Sequence, residues 1–197
     1  MALEILQEIG RKIIHLMILF VLVVFYAIRN TVGQQAAFMF LVALLVFFLI
    51  LEYFRLELNV KLPFFHQFIR PKEEYKVYGA VFFLSSTIIS LAIFSTPVAL
   101  AALLMTAFGD MAAAIAGKKY GTTLLFRSKT LIGFVAGLIT NLIIAAAISL
   151  SFSINLYIPI AMAFVATIAE TLIDEMDDNL MVPILSGFIG QVLLLAI

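Results

Sequence analysis

The chain is unusually poor in charged residues. Only 12% of its 197 residues are charged, and it has no cysteine and no tryptophan. Without cysteine, disulfides, thiolate nucleophiles, iron–sulfur clusters and cysteine-ligated zinc sites are excluded. Soluble domains contain about 25% charged residues, so this chain has too little polar surface to coat a water-soluble fold. Disorder is excluded too, because 64% of the residues are hydrophobic and the net charge is zero.

What the chain does contain is a series of long apolar runs, with a mean hydropathy of +1.19. A helix needs about 20 mainly apolar residues to cross about 30 Å of hydrocarbon. Seven segments qualify, at residues 13–28, 35–54, 79–95, 97–117, 131–150, 155–173 and 180–197. We therefore predict an all-α integral membrane protein: one transmembrane domain, 1–197, built as a bundle of about seven helices.

The distribution of basic residues predicts the orientation of this bundle in the membrane. Of the 12 lysines and arginines, 11 fall before the first span or between spans two and three or four and five, and Arg29 alone falls on the other side. Because basic loops stay in the cytoplasm, the N-terminus is predicted to be cytoplasmic and the C-terminus outside. The acidic residues fall on the same side as the bases. We therefore expect a multi-pass membrane protein, which in a prokaryote would lie in the plasma membrane, with its chemistry at the cytoplasmic face.

The first group of residues that could carry chemistry surrounds Asp110. A carboxylate near the edge of the hydrocarbon is costly and is a functional candidate for that reason. Gly109, Gly117 and Gly121 would let a ligand approach the backbone closely. Four bases follow and could bind phosphates: Lys118, Lys119, Arg127 and Lys129.

Two features near Asp110 also have structural explanations. Ser128 or Thr130 can cap the fifth span, whose first amides would form an anion site. The pairs Gly117–Gly121 and Gly133–Gly137 fit G-x-x-x-G helix packing, with the neighbouring bases acting as topology signals. Packing does not explain Asp110.

The second group consists of clustered acids at 170–178. Glu170, Asp174 and Asp177 or Asp178 have a spacing that predicts one shared helical face. Clustered carboxylates repel one another unless a cation neutralises them. The alternative is that Asp177, Asp178 or Asn179 caps the seventh span; capping leaves Glu170 unexplained.

The third group is Arg11, Lys12 and His15, before and within the first span. His15 could act as a general base or donate to a phosphate; the alternative is a histidine that anchors the helix at the interface. Glu52 and Arg55 are interpreted more simply, as an ion pair within one helix. The chain contains no Walker A, H-E-x-x-H or Ser/His/Asp pattern, and nothing indicates nucleic-acid binding.

These motifs resemble a known family. Gly109-Asp110 through Gly117-Lys118-Lys119-Tyr120-Gly121, followed by Lys129-Thr130-Leu131-Ile132-Gly133, resembles the GD…GxxxG…KTxEG signature of the CTP-dependent lipid kinases. Dolichol kinase, phytol kinase and the fungal-type diacylglycerol kinase belong to that family. Arg11 to His15, Arg70 to Glu74 with Gly79, and Ala169-Glu170 with Asp177 to Pro183 resemble its other elements in the expected order. Ile132 departs from the pattern, which usually has Glu there.

The resemblance implies a phosphotransferase that moves the γ-phosphate of CTP to the hydroxyl of a membrane lipid alcohol. Asp110, Asp177 and Asp178 are then expected to hold Mg²⁺. His15 or Glu170 would position or deprotonate the alcohol, with Asp110 as a catalytic residue. The residues expected to bind the nucleotide are Arg11, Lys12, Gly109, Gly117, Lys118, Lys119, Gly121, Lys129, Thr130 and Asn179.

Several alternatives stay open at this point. The alcohol could be a polyprenol or dolichol, phytol or geranylgeraniol, or diacylglycerol, and a homo-oligomer is compatible with the sequence. A cytidylyltransferase that makes a CDP-lipid would use the same nucleotide, but its long acidic signature is absent from the sequence. A transporter with a cytoplasmic ion site predicts polar residues deep in several spans, whereas Thr106, Asn141 and Gln191 are few and scattered.

Overall fold

The computed structural model describes residues 19–58, 77–127, 129–173 and 177–196. Seven helices make up 85% of this part of the chain. They are α1 Leu19–Thr31, α2 Gln34–Leu56, α3 Gly79–Ile93, α4 Thr96–Tyr120, α5 Leu131–Phe152, α6 Tyr157–Leu172 and α7 Asp178–Ala196. The predicted all-helical architecture is confirmed, and one helix coincides with each predicted apolar segment, except that residues 13–18 of the first lie outside the described part.

Four of these helices, α2, α4, α5 and α7, are long and apolar enough to cross a membrane. The helices α1, α3 and α6 are apolar but shorter. Hydrocarbon offers no partners for backbone groups, so a helix, which pairs them internally, is the form such segments adopt. The structure thus supports a helical membrane protein, while the number of spans and their direction stay predictions.

The outward-facing side chains agree with an apolar surrounding. Along α5, for example, Val135, Ile139 and Ile143 are 44%, 54% and 65% exposed. Met39 and Phe47 on α2 are likewise exposed. Soluble monomers rarely expose contiguous apolar patches of this extent, so these faces are suited to contact with lipid.

Contacts divide the chain into two compact units, Met1–Ile88 and Ile89–Ile197. In the first unit, Phe25 of α1 packs edge-to-face on Phe38 of α2, with ring centres 5.4 Å apart. The predicted pair of Glu52 and Arg55 is confirmed as a two-pronged ion pair, with Arg55 Nε 3.1 Å and Arg55 Nη2 2.6 Å from the two carboxylate oxygens. Glu52 also accepts a hydrogen bond from the backbone N–H of Tyr78, so this carboxylate ties the end of α2 to the residue before α3.

In the second unit, α4 contacts α5, α6 and α7. Its buried face is made largely of small residues, among them Ala99, Ala101 and Ala102, which let neighbouring helices approach closely. Pro97 lies in the first turn of α4, and the N–H of Ser95 just before the helix donates to Gln191 Oε1 at 2.7 Å. The polar side chain of Gln191 therefore caps a helix inside the bundle.

A short antiparallel hairpin between α4 and α5 is a feature that the sequence did not predict. Strand β1, Leu124–Phe126, pairs with β2, Lys129–Thr130. Arg127, at the turn, adopts a left-handed conformation with φ of 48°. The N–H of Leu131 donates to Thr123 O at 3.0 Å, so the hairpin folds back onto the first residue of α5.

The expectation that the acids of 170–178 share one helical face is wrong. The chain leaves the helical conformation at Ile173, which has an extended φ of −81° and ψ of 124°, and α7 begins only at Asp178. Glu170 and Asp178 therefore lie on different helices. Asp174 falls outside the described residues.

Candidate functional site

Four charged side chains from four elements of the second unit come together. They are Asp110 of α4, Lys129 of β2, Glu170 in the last turn of α6, and Asp178 in the first turn of α7. Lys129 Nζ lies 3.3 Å from Glu170 Oε1 in an ion pair, and the charges of Asp110 and Asp178 act on both members of that pair. We refer to these four residues as the charged cluster.

Burial makes the charged cluster costly. Asp110 is 9% exposed and Glu170 is 6% exposed, whereas the side chain of Lys129 is 36% exposed. Helix α4 continues to Tyr120, so Asp110 lies about 15 Å from its end at about 1.5 Å per residue, deeper than expected from a helix that ends at Gly117. Buried carboxylates are rarely kept in this way unless they are paired or bind a ligand.

Burial and charge act in opposite directions on Lys129. Burial alone would lower the pKa of this ammonium group. The carboxylates of Glu170, Asp110 and Asp178 outweigh that effect and raise the pKa of Lys129 above its ordinary value. Lys129 is therefore a permanently charged group at neutral pH, suited to contact phosphate oxygens.

Close packing of α4 on α5 brings these elements together. A Cβ atom added to Gly109 would lie 2.5 Å from Asn141 Oδ1, and one added to Gly133 would lie 2.8 Å from Ala113 O. A Cβ atom on Gly117 would lie 2.9 Å from Thr130 Oγ1. The packing interpretation is confirmed for Gly117 and Gly133, while Gly121 lies just beyond the end of α4. A role of Gly109, Gly117 or Gly121 in nucleotide binding stays a prediction.

Capping fixes the two residues that flank the cluster. Thr130 is the N-cap of α5, as one of the two predicted caps, and its hydroxyl accepts from the N–H of Gly133 at 3.1 Å. This cap ends β2 and sets the direction in which Lys129, one residue earlier, leaves the backbone. On the other side, Asp177 caps α7: its Oδ1 accepts from the backbone N–H of Asn179 at 3.0 Å and from Asn179 Nδ2 at 2.8 Å.

The capping alternative for Asp177 is therefore confirmed, with Asn179 as its partner. One oxygen of Asp177 is engaged in the cap, while Asp178 takes part in the charged cluster. A metal-binding role for Asp177 and a nucleotide-binding role for Asn179 stay predictions.

The remaining predicted site residues are placed as follows. Lys118 and Lys119 lie in the last turn of α4 and are exposed, with Lys119 Nζ 5.1 Å from the centre of the Tyr120 ring. Arg11, Lys12 and His15 lie outside the described residues. Ile132 is 38% exposed and lines an apolar groove on the outer face of α5, so the position that usually carries Glu in the resembled family faces away from α4 here.

The cluster offers oxygen ligands of the type that Mg²⁺ prefers. Among the residues that the structure describes, no three His, Asp or Glu side chains are arranged to hold a metal ion by themselves. Mg²⁺ is commonly bound by one or two carboxylates together with substrate phosphates. Asp110 and Asp178, which act on the same lysine, fit that incomplete ligand set.

Sequence reasoning missed the pairing of Lys129 with Glu170, which are 41 residues apart. It also missed the bond from Asn141 Nδ2 to Thr167 Oγ1, at 3.0 Å. The only available signal was that polar residues in apolar helices need partners. Asn141, Gln191 and Thr106, whose hydroxyl donates to Ala102 O, each make at least one hydrogen bond inside this unit.

Comparisons of this chain with models of protein families, with curated proteins and with solved structures find no match.

Proposed function

We propose that this protein is a CTP-dependent lipid kinase, which transfers the γ-phosphate of CTP to the hydroxyl of a membrane lipid alcohol. The observation that carries the proposal is the charged cluster, where Lys129, Glu170 at the end of α6 and Asp178 at the start of α7 meet Asp110 of α4. A lysine and three carboxylates at the edge of an apolar bundle suit a reaction between a charged nucleotide and a lipid. A soluble substrate would need no apolar surroundings, and a purely structural ion pair would not need Asp110 and Asp178.

Phosphoryl transfer requires charge neutralisation and alignment more than covalent participation by the protein. Lys129 would contact the phosphates of the nucleotide, since its ammonium group is held charged beside Glu170. Asp110 and Asp178 would hold Mg²⁺ on the triphosphate, where the ion neutralises negative charge. Because these groups are positioned by four elements of one compact unit, little reorganisation is needed when the substrate binds.

The reaction forms a bond between the alcohol oxygen and the γ-phosphorus, while the bond between that phosphorus and the β–γ bridging oxygen breaks. CDP leaves, and the alcohol proton must be accepted. Glu170 is assigned this role among the described residues, because its carboxylate lies 3.3 Å from the lysine that would hold the phosphates, close to where the alcohol oxygen must approach. His15 is the alternative base from the sequence. The alcohol would approach from the lipid and the nucleotide from the cytoplasm.

The assignment is tested by charge-neutralising substitutions in protein reconstituted with Mg²⁺, CTP and a series of lipid alcohols. Asp110→Asn, Glu170→Gln and Lys129→Gln should each lower kcat by roughly a hundredfold or more, since each removes a group that stabilises the transferring phosphate or accepts the proton. Glu57→Gln is the matched control, because Glu57 is an exposed acid at the end of α2. Wild-type turnover and unchanged Mg²⁺ dependence in Asp110→Asn would refute the assignment.

A further inference from the structure

The hairpin between α4 and α5 exposes an apolar surface that no described residue of its own unit covers. All three residues of β1 are exposed: Leu124 by 66%, Leu125 by 46% and Phe126 by 38%. A strand normally buries at least one of its two faces. Tyr120, at the end of α4, is 58% exposed as well.

This apolar surface continues onto the outer face of α5. The hydrogen bond from Leu131 N–H to Thr123 O holds the hairpin against the start of that helix. From there an entirely apolar groove runs along the helix, lined by Leu131, Ile132, Val135, Ala136 and Ile139. Since α5 is long and apolar enough to cross a membrane, its outer face is the side that meets lipid, and β1 lies where that face ends.

The charged residues that flank β1 along the sequence are all basic. Between Asp110 and Glu170 the chain has no acidic residue at all. The bases Lys118 and Lys119 precede the hairpin and Arg127 follows β1. The guanidinium carbon of Arg127 lies 5.5 Å from the centre of the Phe126 ring, and Lys119 stands over Tyr120 in the same way. Apolar and aromatic side chains flanked by bases are typical of segments that lie in the headgroup region of an anionic membrane.

We propose that strand β1 and its flanking bases form a membrane-surface anchor. Leu124, Leu125 and Phe126 insert at the boundary between headgroups and acyl chains, while Lys118, Lys119 and Arg127 bind the phosphates of anionic lipids. Lys118 and Lys119 are thereby assigned to lipid headgroups. Lys129 differs from them, because it lies on the opposite strand and pairs with Glu170 in the charged cluster. The anchor does not depend on the proposed kinase activity.

The absence of tryptophan from the chain makes the anchor directly measurable. Phe126→Trp introduces a single emission probe, and the protein is reconstituted in phosphatidylcholine–phosphatidylglycerol vesicles brominated either near the headgroup or near the chain ends. We expect bromine near the headgroup to quench Phe126→Trp more strongly than bromine near the chain ends. Ile139→Trp, halfway along α5, is the matched control and should show the reverse order. Leu124→Trp repeats the test if Phe126→Trp does not fold.

Two results would overturn the anchor. One is quenching of the Phe126→Trp and Leu124→Trp probes no stronger than that of a water-soluble tryptophan derivative added to the same vesicles. The other is a quenching that does not depend on lipid charge. Without phosphatidylglycerol, quenching near the headgroup should fall to about half, because the attraction of the bases to the surface is lost. The combined substitutions Lys118→Gln, Lys119→Gln and Arg127→Gln should remove this lipid dependence, and quenching that is the same in neutral and anionic vesicles would contradict the role given to the bases.

Discussion

At the scale of single residues, the protonation state of Lys129 determines whether the charged cluster can bind phosphate. Its side chain is 36% exposed, whereas Asp110 and Glu170 are buried, and three carboxylates act on it. Burial would lower the pKa of Lys129, whereas the carboxylates raise it. The geometry favours the carboxylates, since the Glu170 oxygen is 3.3 Å away.

This balance predicts how stability depends on pH. Because the pKa of Lys129 is raised in the folded protein, its contribution to stability is fully present below the ordinary value of 10.5 and is lost only as the pH rises through the higher folded-state value. The unfolding midpoint of Lys129→Gln in detergent should lie below that of the wild type throughout the range from about pH 7 to 9. The difference should shrink in more alkaline solution.

The opposite behaviour would show that burial dominates. If the difference between the two proteins vanished already between about pH 7 and 9, the pKa of Lys129 would be lowered. Arg29→Gln serves as the control. Its guanidinium carbon lies 5.8 Å from the Tyr26 ring centre, and it belongs to the other compact unit, so its effect on the midpoint should not follow the same pH dependence.

At the scale of secondary-structure elements, the contact of α4 with α5 is the packing on which the cluster depends. Asn141 cannot withdraw freely from Gly109, because its Nδ2 donates to Thr167 Oγ1. We therefore expect Gly109→Ala to destabilise the folded protein by about 1–3 kcal/mol through overpacking, measured as the free energy of unfolding in detergent.

A neighbouring glycine provides the matched control for this contact. A Cβ atom on Gly137 would lie 3.3 Å from Ala113 Cβ and 3.4 Å from Gly109 O. Gly137→Ala should therefore cost clearly less stability than Gly109→Ala, because these contacts are longer. The preference of alanine for the helix, roughly 1 kcal/mol, favours both variants equally. Adding Asn141→Ala to Gly109→Ala should recover part of the loss. Equal costs for the two alanine substitutions would mean that Asn141 does not restrict this position.

The elements also show what a sequence can reveal. Apolar runs predicted the helices well, because their length and composition are local properties. Thr130 and Asp177 were recognisable as caps for the same reason. The ion pair of Lys129 and Glu170 was not, because it depends on how α5 and α6 meet. The break at Ile173 was missed since a spacing of three or four residues assumes that one helix continues.

At the scale of the whole molecule, the prediction to be tested is the direction of the chain in the membrane. The distribution of bases predicts a cytoplasmic N-terminus and an outside C-terminus. In a bacterial host, a reporter active only in the cytoplasm should work when fused after Lys76, and a reporter active only outside should work when fused after Ile197. Reporters that show both positions on one side would refute an odd number of spans between them.

The proposed activity would also explain why charged residues are grouped together in so apolar a chain. Charged residues are few in this very apolar chain, and Asp110, Lys129, Glu170 and Asp178 lie together in its second unit. This arrangement suits a site where a charged donor and a lipid acceptor meet. A cytidylyltransferase would use the same donor, so the fate of the individual phosphates distinguishes the two reactions.

The most direct measurement of the central claim follows the label of CTP into lipid. The reconstituted protein is given Mg²⁺, a lipid alcohol and CTP labelled at either the γ- or the α-phosphate, with Asp110→Asn as the inactive reference. A lipid kinase transfers the γ-label to the lipid and leaves the α-label in CDP. Transfer of the α-label to the lipid, or of neither label to any of the lipid alcohols supplied, would contradict the account.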